Sequence, residues 1–269
     1  MDVTIDVEAV HRRLGEPGLV LVDVRGEEAW RSATIPGAVH LNVYDYFIPR
    51  SDEAGIAALA RSAATAFDAI GIGQARTAIF FEDRTGMISP RGLWFHEFLG
   101  LSGGLILDGG FQAWIEAGHA TAPGYGASAE ILPEPPDVPQ PATRRQLIAS
   151  LQETLDAPIV LDVRRRSEYS GDFVHPCCAR AGRIPGCRHI FWEDLLDEGR
   201  YRSPGEVAAI AAKAGLSRDQ AIVTYCHRGA RAATALYALR RAGFNNVRVF
   251  VGSWHEWAER ADLPLETGD

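Results

Sequence analysis

The residues of this chain whose types and spacing could do chemistry lie in one stretch, Thr224 to Thr234, which reads T-Y-C-H-R-G-A-R-A-A-T. Cys226 directly follows the apolar run A-I-V-T-Y, which predicts a buried strand, and a helical pattern begins near Arg231. A thiol between a strand and a helix N-terminus meets backbone N–H groups and the positive end of the helix dipole, and both favour the thiolate form. The stretch therefore predicts a reactive cysteine.

The neighbours of Cys226 support this interpretation. His227, Arg228 and Arg231 place polar or cationic groups beside the thiol. Gly229 allows the backbone to turn with a positive φ and to direct its amides inward. A lone cysteine is more commonly a buried structural residue, but neighbours this polar are unusual around a core position. We therefore predict that the loop holds an anion against the thiol.

The elements that must position this loop are predicted by short apolar runs that alternate with helical patterns. Runs rich in Val, Ile and Leu are typical of strands buried on both faces, whereas Ala57–Ile70 and Arg231–Gly243 have the pattern of helices. Strands that alternate with helices predict an α/β fold with a mostly parallel sheet flanked by helices. In such sheets ligands bind beyond the carboxyl ends of the strands, which is where Cys226 lies.

The chain repeats itself. L-V-L-V-D-V-R near the start returns as P-I-V-L-D-V-R in the second half, and I-P-G-A-V-H-L returns as I-P-G-C-R-H-I. Asp83 and Cys226 lie 143 positions apart, as do Gly109 and Gly252, so no insertion separates these pairs. Between D-V-R and I-P-G, however, the second half is 10 residues longer, and we call the segment that holds this excess, 170–183, the insertion. The repeat predicts two domains of one kind.

A proline-rich stretch separates the two copies. It holds six prolines between Pro123 and Pro141, which excludes a continuous helix or a central strand. We therefore predict an N-terminal domain at 1–122, an extended linker at 123–142 and a C-terminal domain at 143–269.

Composition limits the classes of function. The 269 residues are 46% hydrophobic and 23% charged, with a net charge of −8, which argues against broad nucleic-acid or membrane-surface binding. The N-terminus lacks the features of a signal peptide, and no apolar run is long enough to cross a bilayer. The four cysteines lack a C-x-x-C pairing, so we predict free thiols, no metal site and a cytoplasmic location.

The order D-V-R, I-P-G, strand-Cys-x-x-G-x-R-helix and G-S-W-x-E-W resembles the rhodanese family in its tandem two-domain form. The resemblance covers nearly the whole chain and implies two rhodanese-like domains and no cofactor. It implies a sulfurtransferase in which Cys226 is the catalytic residue and carries a persulfide. The implied substrate-binding residues are those of the loop: His227, Arg228, Gly229, Ala230 and Arg231. Asp83 stands in place of the cysteine in the first domain, which is therefore expected to be non-catalytic.

The loop also bears on the sulfur donor. In this family, thiosulfate enzymes typically carry a cation two positions after the cysteine, whereas mercaptopyruvate enzymes carry a small hydroxyl residue. Arg228 occupies that position and Arg231 adds a second cation, so we expect thiosulfate as donor and cyanide or a thiol as acceptor. 3-Mercaptopyruvate is the alternative. Arg180 and Arg183, in the insertion, are further possible substrate-binding residues.

Two other classes of protein share features of this loop. Cysteine phosphatases use C-x5-R, but here the arginine follows the cysteine after four residues, which suits a sulfur atom better than a phosphoryl group. Rhodanese domains without the cysteine serve as interaction modules, so a non-enzymatic sulfur carrier is a remote alternative. The implied partners are small substrates, with the chain acting as a monomer or weak dimer.

The remaining polar residues have simpler interpretations. Arg84 and Arg91 either line the cleft between domains or lie on the surface. Cys177 and Cys178, in the insertion, either resolve a persulfide or form a redox switch, or have no role. The predicted structural residues are Cys187 in the core, the ion pairs Asp23–Arg25 and Asp162–Arg164, the packed His40 and His189, and Trp254 and Trp257 against the loop and the domain interface.

Overall fold

Each half of the chain forms one α/β domain in the structure, a computed structural model that describes residues 2–133 and 137–268. The first domain contains a six-stranded parallel sheet of order β1-β5-β4-β2-β3-β6. Its strands are β1 (Thr4–Ile5), β2 (Leu19–Asp23), β3 (Val39–Asn42), β4 (Thr77–Phe81), β5 (Gly104–Leu107) and β6 (Ser128–Glu130).

The second domain contains a five-stranded parallel sheet of order β7-β13-β12-β8-β9. Its strands are β7 (Ile148–Ala149), β8 (Ile159–Asp162), β9 (Arg188–His189), β12 (Ile222–Tyr225) and β13 (Val247–Phe250); a separate antiparallel pair comprises β10 (Leu196–Asp197) and β11 (Arg200–Tyr201). The order of these five strands is the order of the first five strands of the first sheet. The predicted internal repeat is therefore a repeat of topology, and the predicted α/β fold with parallel sheets is confirmed.

Helices cover both faces of each sheet. They are α1 (Val7–Arg12), α2 (Glu27–Ser32), α3 (Glu53–Ala69), α4 (Ser89–Phe98), α5 (Gly110–Glu116), α6 (Leu151–Leu155), α7 (Arg166–Ser170), α8 (Pro204–Lys213), α9 (Ala230–Arg241) and α10 (Ser253–Glu259). The two helices predicted from sequence are α3 and α9. Helix α3 begins four residues before its predicted start because the Asp52 side chain caps it by accepting the Gly55 N–H at 2.9 Å.

The predicted linker contributes to the first sheet. Ser128–Glu130 forms β6, which pairs with β3 at the edge of that sheet. An edge position requires hydrogen bonds on one side only, so prolines nearby are compatible with it. Residues 134–136, within the same segment, lie outside the described part of the chain.

The two domains face each other through α4 and α9, and one apolar core continues across the boundary, from Phe80 in β4 to Val249 in β13. Two polar contacts also join α4, or the residues just before it, to α9. Arg240 Nη1 lies 2.6 Å from Glu97 Oε2, and the Thr234 hydroxyl donates to the Gly86 carbonyl at 2.8 Å. This shared core fixes the cleft between the domains.

Within residues 2–133 and 137–268, no helix has both the length and the apolar character that a membrane crossing requires.

Candidate active site

The thiol of Cys226 lies where the sequence places it, between β12 and α9. The Cys226 residue is 1% exposed, and its Sγ accepts a hydrogen bond from the Gly229 N–H at 3.1 Å. Gly229 has φ 91°, a left-handed conformation that glycine adopts without strain, and α9 begins at the next residue. The turn therefore directs an amide and a helix N-terminus at the sulfur.

A second segment holds the loop from behind. The Ser253 hydroxyl accepts a hydrogen bond from the Cys226 N–H at 3.2 Å and donates one to the Phe250 carbonyl at 2.8 Å. The backbone N–H of Trp254 donates to the Cys226 carbonyl at 3.0 Å. Ser253 is fully buried with φ 53°, which is unfavourable for a non-glycine residue. The hydroxyl contacts offset that cost. Sequence reasoning did not assign Ser253 a role, although its place in G-S-W-H-E-W was the available signal.

The thiol opens onto a cavity of about 370 Å³ in the cleft, and both domains line it. The first domain contributes Tyr44, Met87 and Arg91, and the second contributes Arg165, Ser167, Glu168, Phe173, His175, Trp192, Cys226, His227, Arg228, Ala230 and Arg231. Four predicted loop residues, His227, Arg228, Ala230 and Arg231, thus reach the cavity. Gly229 acts through its amide on the thiol.

Arg231 is held by a carboxylate. Its two terminal nitrogens, Nη1 and Nη2, donate to Glu168 Oε2 at 2.6 Å and to Oε1 at 3.0 Å. Burial opposes ionisation of Glu168, but these charge-assisted bonds bring the pKa of Glu168 below its ordinary value. The pair is therefore ionised near neutral pH, and Glu168 offsets the charge that Arg231 brings to the cavity.

Arg228 takes a different position. Its guanidinium carbon lies 3.8 Å from the ring centroid of Phe47, which belongs to the first domain, and Nη2 donates to Cys177 Sγ at 3.0 Å. Its Nε is buried without a hydrogen-bond partner among the described residues. No carboxylate pairs with Arg228 in the described ion pairs, so its positive charge remains available to an anion in the cavity.

Arg91 brings a cation from the first domain. Its residue is 4% exposed, and its guanidinium donates to the Tyr46 carbonyl. Burial lowers the pKa of Arg91 to about 10, with Cys226 and Tyr44 acting in the opposite direction. Arg91 is still charged at neutral pH. The interpretation of Arg91 as a cleft residue is the one that the structure supports.

His227 contributes polarity to the cavity. Burial, together with the neighbouring His175 and Arg228, lowers the pKa of His227 to about 3. The imidazole is therefore neutral near pH 7. The positive charge around the thiol comes from arginine side chains.

The structure does not bring Arg180 or Arg183 to the cavity. The Arg180 guanidinium donates to the carbonyls of Trp257, Ala258, Arg260 and Leu263, so it caps the C-terminal end of α10. Arg183 is buried against the C-terminal segment, donating to the Gly268 carbonyl at 2.6 Å and pairing with Glu266 at 3.4 Å. Backbone carbonyls bind the Arg180 guanidinium, and carbonyls with a carboxylate bind the terminal nitrogens of Arg183, so both side chains are held away from the cavity.

Three other predicted residues lie away from the thiol. Arg84 is exposed and bridges the domains by donating to the Glu198 carbonyl at 3.2 Å.

Trp254 and Trp257 were expected to pack against the loop and the domain interface. Only the Trp254 backbone contacts the loop, and both rings pack in a separate core on the outer face of the second sheet, where Cys187 also lies.

The two D-V-R segments fold alike. Arg25 and Arg164 each form an ion pair with the aspartate two residues before, Asp23 at 2.7 Å and Asp162 at 2.6 Å, which confirms both predicted pairs. The histidines at matching repeat positions also act alike: His40 bonds the carbonyl of Arg25 and His189 that of Arg164, each at 2.8 Å. The predicted packing role of the two histidines is confirmed. The ion pairs and the histidine bonds hold the strand ends that flank the Cys226 loop and the matching loop of the first domain.

The matching loop of the first domain holds a buried carboxyl group of its own, that of Glu82. Burial raises the pKa of Glu82, and the hydrogen bonds that it accepts act in the opposite direction. Glu82 Oε1 accepts the N–H groups of Gly86, Ile88 and Ser89, at 2.8 to 3.0 Å, and the Ser89 hydroxyl at 2.9 Å. Asp83, which stands where the second domain has its cysteine, is exposed. A side-chain carboxyl group thus occupies the loop of the first domain that corresponds to the Cys226 loop. Sequence reasoning missed Glu82, whose signal was a glutamate where the second copy has Tyr225.

The Rhodanese-like domain family matches this chain twice, over residues 6–117 and 145–260. The chain belongs to the rhodanese family. A 3-mercaptopyruvate sulfurtransferase of Escherichia coli is 28% identical to it over 97% of this chain and 92% of that protein. A thiosulfate sulfurtransferase of Corynebacterium glutamicum is 31% identical over 96% and 88%. Both relatives thus span both domains.

Solved structures agree with this assignment. The crystal structure of a probable thiosulfate sulfurtransferase has a TM-score of 0.69 at 29% identity, covering 94% of this chain and 99% of that one. That of an Escherichia coli 3-mercaptopyruvate sulfotransferase has a TM-score of 0.75 at 21% identity, over 94% and 99%, and supports the fold. The predicted family and the predicted enzyme class, a sulfurtransferase, are confirmed, and a phosphatase is not favoured.

Proposed function

We propose that this protein moves sulfane sulfur from thiosulfate to a thiophilic acceptor, cyanide or a thiol, through a persulfide on Cys226. The observation that carries the proposal is the Cys226 thiol, which accepts the Gly229 amide at the N-terminus of α9 and opens onto a cleft lined by Arg91 and Arg228. A nucleophile and two arginines that have no carboxylate partner among the described residues share one small cavity, which suits an anionic sulfur donor.

The transfer takes two steps. The Cys226 thiolate attacks the outer sulfur of thiosulfate, an S–S bond to the enzyme forms, and sulfite leaves with the electrons of the broken S–S bond. The acceptor then attacks the terminal sulfur of the persulfide, which yields thiocyanate from cyanide and regenerates the Cys226 thiolate. The amides at the start of α9 stabilise the negative charge that returns to the sulfur atoms in both steps.

The charge of the cavity favours thiosulfate over 3-mercaptopyruvate. Thiosulfate is a dianion, and Arg91 and Arg228 together match its two charges. 3-Mercaptopyruvate carries one carboxylate and needs one of these cations. It remains the second candidate because the Escherichia coli relative has that name and because Glu168 offsets the charge of Arg231.

The deciding experiment is a side-by-side measurement of kcat/KM with thiosulfate and with 3-mercaptopyruvate, using cyanide as acceptor. We expect a clear preference for thiosulfate, and Arg228→Ser is expected to reduce kcat/KM for thiosulfate by about 10–100-fold and to affect 3-mercaptopyruvate less. A large preference of the unmodified protein for 3-mercaptopyruvate would reverse the choice of donor.

The role of the thiol is tested separately. Cys226→Ser is expected to abolish transfer and the persulfide that mass spectrometry detects after incubation with thiosulfate. Cys187→Ser is the matched control, because Cys187 is buried in the outer core of the second domain. Transfer that survives Cys226→Ser would exclude the persulfide mechanism. A persulfide that forms without turnover would instead favour a sulfur carrier.

We also propose that the protein works in the cytoplasm as a monomer or weak dimer. All four cysteines are free thiols, as a reducing compartment would keep them, and the domains already bury α4 and α9 against each other. Light scattering during size-exclusion chromatography measures the assembly directly.

A further inference from the structure

A cluster of two thiols and two imidazoles lies beside the catalytic loop. Its members are Cys177 and Cys178 in the insertion, His227 directly after the catalytic cysteine and His255 in α10. One ligand atom from each residue lies within 4.8 Å of all the others. We propose that these four residues form a binding site for Zn²⁺, which would hold the insertion against the catalytic loop and α10.

The ligand set matches the chemistry of zinc. Two cysteine sulfurs and two histidine nitrogens are a common closed set for tetrahedral Zn²⁺, with Zn–S near 2.3 Å and Zn–N near 2.0–2.1 Å. Ligand atoms around such an ion are separated by roughly 3.3–3.8 Å. Cys177 Sγ and His227 Nε2 are 3.2 Å apart. The other ligand atoms, which all lie within 4.8 Å of one another, need to approach by no more than about 1.5 Å to reach those separations.

One of the four residues has a buried polar atom without a partner. His255 Nδ1 is buried and has no hydrogen-bond partner among the described residues. Its ring packs edge-on against Phe47 and His227, with centroids 4.6 and 6.1 Å away. A buried polar atom without a partner is unfavourable, and a metal bound through Nδ1 would supply that partner.

The insertion that carries the two thiols is already anchored. Arg180 joins it to the carbonyl end of α10, and Arg183 forms a backbone bridge with Glu266. A turn closed by the Cys178 N–H and the His175 carbonyl, at 2.8 Å, places the two cysteines side by side. Helix α10 also carries His255, so these contacts already hold the cysteines near that histidine. Metal binding would therefore lose little free energy to ordering of the chain.

The charges at the site balance. Two thiols each release a proton on binding, and the two thiolates neutralise Zn²⁺ without any change of oxidation state. Arg228 donates to Cys177 Sγ at 3.0 Å, and in the metal-bound form this bond would go to a coordinated thiolate. His175 Nδ1 lies 3.1 Å from the same sulfur and is a further polar neighbour.

The experiment uses the full-length protein, reduced and freed of metal with a chelator, and titrates it with Co²⁺ as a spectroscopic probe. We expect one Co²⁺ per chain, with thiolate-to-cobalt charge-transfer absorption and the visible bands of tetrahedral Co²⁺, both lost when Zn²⁺ displaces it. Absence of these bands in the reduced protein would overturn the proposal.

Variants identify the ligands. Cys177→Ser, Cys178→Ser and His255→Gln are each expected to weaken zinc binding by more than about 100-fold, since loss of a residue that only orients a ligand costs about 10–100-fold. Cys187→Ser is the control thiol outside the cluster and should bind normally. Unchanged bands in Cys177→Ser or Cys178→Ser would refute the assigned ligands.

Two further measurements separate this site from the catalytic thiol and from misfolding. Cys226→Ser is expected to keep the cobalt bands, and their loss would mean that the catalytic cysteine binds the metal. Zinc is expected to raise the Tm of the unmodified protein and of Cys226→Ser, but not that of Cys178→Ser. An equal rise in Cys178→Ser would contradict the proposal.

Discussion

Glu168 and Arg231, 63 residues apart, form a bidentate ion pair at the wall of the cavity that Cys226 lines, with N···O distances of 2.6 and 3.0 Å. Both side chains are largely buried. Removal of one partner from such a pair leaves the other charge without compensation. The pair therefore controls how much of the positive charge of Arg231 an anion in the cavity experiences.

The first prediction follows from this pair. Glu168→Gln is expected to lower KM for thiosulfate by about 3–10-fold, because Arg231 is then free to attract the dianion. The same change is expected to destabilise the unliganded protein by roughly 2 kcal/mol. Steady-state kinetics and urea unfolding measure the two effects. Glu266→Gln, which removes the partner of Arg183 away from the cavity, is the control and should leave KM unchanged.

The second prediction concerns the cation from the first domain. Arg91→Met is expected to reduce kcat/KM for thiosulfate at least about 10-fold, because a buried positive charge that faces the thiol is lost. The matched control is Arg84→Met, since Arg84 lies at the domain boundary but outside the cavity. Equal kinetics for the two variants would mean that the first domain does not contribute to donor binding.

The third prediction tests the carboxylate inside the first-domain loop. Glu82→Ala removes the acceptor of three backbone N–H groups and one hydroxyl, and we expect the free energy of unfolding to fall by about 3 kcal/mol. Activity per folded molecule should persist, because Glu82 does not line the cavity. Urea unfolding provides the measurement, with the exposed Asp83→Ala as control. A stable Glu82→Ala protein would contradict the structural role.

The fourth prediction is a pH dependence of stability. His96 is 1% exposed, neither ring nitrogen has a partner among the described residues, and burial lowers the pKa of His96 from 6.5 to about 4. The unfolded chain therefore takes up a proton at higher pH than the folded protein does. The stability that this residue contributes is complete above about pH 6.5 and is lost as the pH falls toward about 4, by about 3 kcal/mol.

His96→Leu is expected to remove that part of the dependence. Urea unfolding of both proteins between about pH 4 and pH 7 measures the difference between their slopes. Parallel slopes would show that His96 does not titrate in this range.

Local features of the chain were predictable from its residues. The apolar runs, the glycine at the turn and the spacing of the repeat predicted parallel strands, the Cys226 loop and the two-domain arrangement. Each depends on a few consecutive residues or on a period, and backbone geometry then limits what those residues can form. The same reasoning predicted the D-V-R ion pairs, whose partners lie two residues apart.

Long-range partners of charged and polar side chains were not predictable. Arg180 and Arg183 looked available to a substrate, yet both bind backbone carbonyls more than 70 residues away, and Arg183 also pairs with the Glu266 carboxylate. Cys177 and Cys178 lacked the C-x-x-C spacing of a metal site, and their imidazole neighbours come from two other segments. Such pairings depend on how elements pack, which short sequence patterns do not encode.

The sequence by itself determined the loop that holds Cys226 and the repeated α/β topology, because these follow from local conformational preferences and hydrophobic period. Only the tertiary structure decided the electrostatics of the site. Packing α4 against α9 brings Arg91 to a thiol in the other domain, and the position of α7 pairs Glu168 with Arg231. Folding of the insertion places two cysteines beside His227. Charge acts through space, so its effect on Cys226 depends on the packed arrangement of both domains.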